Sequence, residues 1–172
     1  MVEFRSTIDL PWTLLVPIRI GQVRPALGTA PRMVTVGTDA APLLRVDVYP
    51  SGDSECFAFE EARVWSKGVA IGFGHCFHFV DLESKRVTSF DLGSYFGRTY
   101  PSGEFLLVAS AERLFRIGPD GRLEWRSEQL GIDGVIVDRV SGALIEGQGE
   151  WAPPGGWRPF RLMAAFGTPV PP

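Results

Sequence analysis

Glycine and proline interrupt this chain too often for it to build long helices. Twenty glycines and fourteen prolines are spread along its 172 residues, and in a helix interior each glycine costs about 1 kcal/mol and each proline about 3 kcal/mol relative to alanine. No stretch of a dozen residues free of both carries apolar residues at i, i+3, i+4 and i+7. Between the interruptions stand short runs rich in Val, Ile, Phe and Leu, such as "GVAIGFG", "EFLLVAS" and "GVIVDRV". Short strands joined by tight turns are what this punctuation allows, so the chain is expected to be all-β.

The runs recur. From Glu61 the chain reads as strands and turns through "EARVW", "GVAIGFG", "CFHFV" and "RVTSFDL". It does so again with "EFLLVAS", "RLFRI", the turn "GPDG" and "RLEWRSE", and a third time with "GVIVDRV", "ALIEGQGEW" and "WRPFRL". Phe115-Arg116-Ile117 and Phe160-Arg161-Leu162 stand 45 positions apart, and His78-Phe79-Val80 precedes the first of these by 37. A period of about 40 residues is the length of a four-stranded propeller blade. In this alternation of strand, turn and Trp-containing strand, residues 60–170 resemble the β-propeller repeats of the WD40 and PQQ-binding type, without the Trp-Asp dipeptide of the former. Pro153–Leu162 also resembles segments of small uncharacterised bacterial proteins. The resemblance implies a fold of packed antiparallel sheets and transfers no functional residue.

The expected organisation is one all-β domain, 1–172, with an N-terminal β segment (1–59) and three blade-like units (60–95, 96–131 and 132–172). Closed propellers have four to eight blades, so three units leave edges to cover. The third unit ends in "GTPVPP" where a fourth strand belongs, and an N-terminal strand from Val2 to Ile8 is expected to complete it. "WTLLVPIRIG", "RMVTVG" and "LLRVDVYP" then supply a small additional sheet. A partial propeller closed by a dimer partner and a two-sheet β-sandwich are the alternatives. Pro169, Pro171 and Pro172 are expected to blunt the C-terminal edge, because proline donates no N–H to a ladder.

Seventeen basic and twenty acidic residues leave a net charge of −3 with no basic tract, so a nucleic-acid partner is not expected. The apolar patch at the N-terminus lacks a basic start and is broken by Pro11 and Pro17; neither membrane insertion nor export is expected, and the location is read as cytoplasmic. Cys56 and Cys76 lack CxxC spacing and read as free buried thiols. No cofactor is implied. "GVAIGFG" has neither the spacing of a dinucleotide fingerprint nor a helix to follow it, and no G-x-S-x-G elbow occurs.

Three constellations could carry chemistry. Cys76 and His78 share one face of a strand, about 6.6 Å apart, enough for two metal ligands where a zinc site needs three or four; a hydrogen-bonded core histidine is the simpler reading. Glu146 and Glu150 share a face but span about 13 Å, beyond the roughly 5–9.5 Å of glycosidase carboxylates. Together with Asp133 they are the alternative acid and base of a small sugar- or metabolite-acting enzyme.

The third constellation is "GEWAPPGGWRPFRL". Pro153 and Pro154 restrict the backbone and Gly155-Gly156 can reverse it, so Trp151 and Trp157 are expected to meet across a hairpin with Arg158 or Arg161 stacked on one ring. A rigid loop of Trp and Arg is the composition of binding hot spots. Trp151, Trp157, Arg158 and Arg161 are therefore the expected binding residues. The function expected is a non-enzymatic interaction module, of bacterial accessory or immunity type, binding one protein partner. A structural homodimer built on the same loop is the third possibility.

Overall fold

The computed structural model describes residues 1–22, 30–51 and 59–170; Cys56, Pro171 and Pro172 lie outside them. The described residues form four sheets. Sheet I holds β1 (Val2–Arg5), β2 (Ile18–Ile20), β3 (Arg32–Thr38) and β4 (Ala41–Val48) in the order β1-β3-β4-β2, with β2 parallel to β4. Sheet II is an antiparallel meander of β5 (Glu60–Trp65), β6 (Gly68–Phe73), β7 (Cys76–Asp81) and β8 (Val87–Asp91). Sheet III repeats it with β9 (Phe96–Ser102), β10 (Phe105–Ser110), β11 (Leu114–Ile117) and β12 (Leu123–Arg126). Sheet IV has three strands, β13 (Val135–Ser141), β14 (Leu144–Glu150) and β15 (Trp157–Met163).

The sequence period has a structural counterpart. His78-Phe79-Val80 lies on β7, Phe115-Arg116-Ile117 on β11 and Phe160-Arg161-Leu162 on β15, the third strand of its sheet in every case. The first hairpin of each sheet from II to IV turns through a left-handed residue, Ser66 (φ 51°), Gly103 (φ 55°) and Gly142 (φ 56°), as a tight turn between twisted strands requires.

The sheets stack face to face in chain order, and side-chain alternation explains how. On β6 and β7 every residue is buried, because both faces of sheet II are covered. Val69, Ile71, Phe73 and Val80 point toward sheet I and meet Val34, Val36, Val46 and Val48. Ala70, Phe77 and Phe79 point the other way, onto Phe96, Leu106, Val108 and Phe115 of the third sheet and its approach. Gly72 keeps that second interface close: a Cβ there would stand 2.1 Å from the Phe96 ring. Leu107, Ala109 and Leu114 then face Val135, Val137, Ile145 and Leu162 of sheet IV. The all-β, propeller-like reading holds, with successive blade-like sheets in place of the two sheets of a sandwich.

The N-terminal strand does not complete the last unit. β1 pairs with β3 of sheet I, Val2 opposite Val36 and Phe4 opposite Val34. The physical reason is burial: Val2 and Phe4 pack into the apolar layer between sheets I and II. On sheet IV, the outer face carries Arg139, Glu146 and Arg161 joined by ion pairs, so it offers no second apolar layer of that kind. The described residues before Pro50 therefore supply a full four-stranded sheet and also cover its outer face. There Trp12 is buried, its indole N–H donates to Asp39 at 2.7 Å, and the Arg5 guanidinium lies 5.2 Å from the ring centre.

Sheet IV stays one strand short. Among the described residues its edge receives a single bridge, Leu162 to Pro169, with hydrogen bonds from Met163 N–H to Thr168 and from Val170 N–H to Arg161. Residues 161 and 163 thus turn their backbone groups outward, and by strand alternation so does Pro159, which has no N–H to offer. Proline at that position protects the open edge from pairing.

Candidate functional site

β5, β9 and β13 are the first strands of sheets II, III and IV and lie next to one another in that order. Where they and their approaches converge they enclose a cleft of about 740 Å³, within the 300–1,000 Å³ typical of binding pockets. Sheet II contributes Phe59, Glu60 and Glu61, and sheet III contributes Tyr95, Arg98 and Tyr100. The approach to sheet IV adds Asp133 and Gly134, and the β14–β15 hairpin adds Glu150 and Trp157.

Backbone and side-chain bonds fix these walls. The Tyr95 hydroxyl donates to the Asp133 carbonyl at 2.5 Å and to its carboxylate at 2.9 Å, tying sheet III to sheet IV. Glu61 accepts the Thr99 backbone N–H at 2.8 Å and pairs with Arg63, tying sheet II to sheet III. Glu60 pairs with Arg32 of sheet I at 2.8 Å. Glu150, 9% exposed, accepts the Gly155 N–H at 2.5 Å, while its backbone exchanges hydrogen bonds with Ile132 and Gly134.

Trp157 stands directly across the ladder from Glu150, and side chains of paired residues share a face. Its ring lies against Gly134, where a Cβ would come within 2.9 Å of the indole and push the ring aside. Phe59 and Tyr95 face each other with ring centres 6.1 Å apart. Burial pushes the Tyr100 phenol up from its ordinary value, so it remains a neutral hydroxyl.

The expected binding residues divide among three places. Trp157 lines the cleft, and so do Glu150 and Asp133, expected only as alternative catalytic groups. Trp151 and Arg158 form a clasp on the hairpin, the guanidinium 5.8 Å from the ring centre. The two indoles do not meet. The ladder sets Trp157 opposite Glu150, and Trp151 N–H bonds to Gly156, so Trp151 and Trp157 are one register step apart and fall on opposite faces.

Arg161 goes to the outer face of sheet IV, where it and Arg139 both pair with Glu146, at 3.1 and 2.5 Å. The Arg139 hydrogen bond in particular holds the Glu146 carboxyl below its usual value. Glu146 does not line the cleft that Glu150 and Asp133 share.

Cys76 and His78 do share a face, the one that points to sheet I. Both are buried, and His78 Nδ1 is hydrogen-bonded to Ser89 Oγ at 2.7 Å. Burial lowers the His78 pKa to about 4 and raises that of the Cys76 thiol, which leaves a neutral imidazole and an unreactive thiol. Among the described residues no three His, Cys, Asp or Glu side chains are placed to hold a metal ion.

Sequence reasoning missed Phe59, Tyr95, Arg98 and Tyr100. A signal was present for two of them: the chain has twelve phenylalanines but three tyrosines, and Tyr95 and Tyr100 fall within five positions of each other. A tyrosine in a phenylalanine-rich chain marks an aromatic position with one wet end.

No protein-family model matches the sequence, and no curated protein does. Among solved structures the chain is similar to BamB from Moraxella catarrhalis, with a TM-score of 0.51 and 14% identity over 99% of this chain. The match covers 51% of that protein, so the chain spans about half its length. The likeness extends to the fold, an arrangement of successive antiparallel sheets, and to nothing finer.

Proposed function

We propose that the chain is a protein-interaction module that seats an extended segment of a partner protein in the cleft at the first strands of sheets II to IV. One observation carries this reading: the cleft is open to solvent and walled by Phe59, Tyr95, Tyr100 and Trp157, held in place by bonds that cross from sheet to sheet. Aromatic side chains on a rigid frame give contact area with little entropy to lose on binding. Trp157, 36% exposed at the rim, is the contact expected to dominate.

The test begins with peptides selected for binding from a random display library. For a selected peptide, Trp157→Ala is expected to weaken binding by at least about 2 kcal/mol, roughly 30-fold, the scale of a hot-spot residue. Trp151→Ala, which removes the hairpin clasp outside the cleft, is expected to stay within about threefold of wild type. Isothermal titration of both variants, with circular dichroism to establish that each is folded, decides the matter. Equal loss in the two variants, or a larger one for Trp151→Ala, would move recognition out of the cleft and onto the loop.

A further inference from the structure

The carboxylates of the cleft are not equally spent. Glu60 is paired with Arg32 and Glu61 with Arg63. Asp133 and Glu150 have no ion-pair partner among the described residues. Asp133 accepts the Tyr95 hydroxyl through Oδ1, and Glu150 accepts the Gly155 N–H through Oε1; Glu150 Oε2 has no hydrogen bond among the described residues. That oxygen and the Trp157 ring converge on one point. They lie 3.8 and 2.9 Å from the position a Cβ would take on Gly134, the residue that follows Asp133 in the chain. An indole and one carboxylate without an ion-pair partner thus meet at one end of the cleft, which is lined as well by Asp133 and by Arg98, a cation that pairs with neither carboxylate among the described residues.

Resting on the reading that the cleft holds a partner segment, we propose that this end receives an arginine side chain of that segment. A guanidinium lies flat on an indole face and is attracted by its π-electrons. Its planar fork also donates charge-assisted hydrogen bonds to carboxylates in a way a lysine ammonium does not match. Asp133 and Glu150 would gain the ion-pair partner that Arg98, lining the same cleft, does not give them among the described residues, and the partner is specified as a protein with an exposed, arginine-bearing extended stretch.

The test uses N-acetyl-arginine amide, with N-acetyl-citrulline amide as the neutral analogue of the same shape, and follows the Trp157 indole N–H of the full chain by NMR. That signal is assigned from its disappearance in Trp157→Phe. The arginine derivative is expected to shift it saturably, with citrulline at least about tenfold weaker, the ratio for one lost charge-assisted hydrogen bond. Asp133→Asn combined with Glu150→Gln is expected to bring the arginine derivative to the level of citrulline. Because the first comparison uses the wild-type chain, a folding defect in the double variant does not affect it. Equal shifts from the two compounds would overturn the proposal. Display-selected peptides that lose binding in Trp157→Ala but carry no basic residue would overturn it too, while leaving segment binding intact; failure of every peptide to occupy the cleft would overturn both.

Discussion

Phe77→Ala is expected to destabilise the protein by about 3–5 kcal/mol, the range for deleting a fully buried phenylalanine. Phe77 has no exposed surface and sits in the apolar layer between sheets II and III, its ring 5.2 Å from that of Phe90. Its burial exists only because sheet III lies over sheet II; in an isolated sheet the same side chain would face water and its removal would cost little. A domain of this size has a net stability of about 5–15 kcal/mol, so the substitution removes a large share and lowers Tm by roughly 10 °C. Urea denaturation read by near-ultraviolet circular dichroism measures it, with Phe166→Ala as the control. Phe166 is 69% exposed, and its loss is expected to stay within about 0.5 kcal/mol.

The second large effect is one of pH. His78 is 2% exposed, and burial lowers its pKa from 6.5 to about 4, so the folded state holds it neutral where the unfolded chain would bind a proton. A depressed pKa of this kind leaves stability intact above pH 6.5 and removes it as the pH falls from 6.5 to about 4. At roughly 1.4 kcal/mol per pH unit, the loss attributable to this residue across that interval is about 3 kcal/mol.

Asp81 acts in a different window. Hydrogen bonds from the Ser84 backbone N–H and hydroxyl, aided by Lys67, lower its carboxyl from 3.8 to about 2, so its stabilising share is lost only as the pH falls from 3.8 toward 2. Chemical denaturation of wild type and His78→Leu at intervals from pH 7 to pH 4 should show wild type losing about 3 kcal/mol relative to the variant as the pH falls, since the variant lacks the histidine component. Parallel curves would mean that His78 is solvated.

The architecture was legible in the sequence wherever local chemistry decides it. Glycine at the left-handed turn positions of sheets III and IV, unbroken apolar runs on strands covered on both faces, and a recurring third-strand motif all report conditions set by neighbours in sequence. The placement of Val2 and Phe4 was not legible. Their alternation announces a half-buried strand, but which sheet accepts it depends on which face elsewhere remains apolar, and the charges on the outer face of sheet IV, Arg139, Glu146 and Arg161, come from three strands brought side by side by the fold.

The site divides along the same line. That Arg158 covers Trp151 follows from a short hairpin and was foreseeable. The cleft draws together Phe59, Tyr95, Asp133 and Trp157, from approaches to three different sheets and a hairpin, and no local pattern links them. The expected pairing of the two indoles does not form: Trp157 belongs with Glu150 and Gly134, and its register separates it from Trp151.

Hydrogen–deuterium exchange of the full chain, with and without a display-selected peptide, tests the central claim most directly, because it locates the bound segment without altering any residue. Recognition in the cleft predicts slowed exchange at Tyr95–Tyr100, at the Asp133–Ile136 entry to sheet IV and around Trp157. Protection confined to Trp151–Gly156, or to the outer face of sheet IV around Arg139 and Arg161, would contradict it.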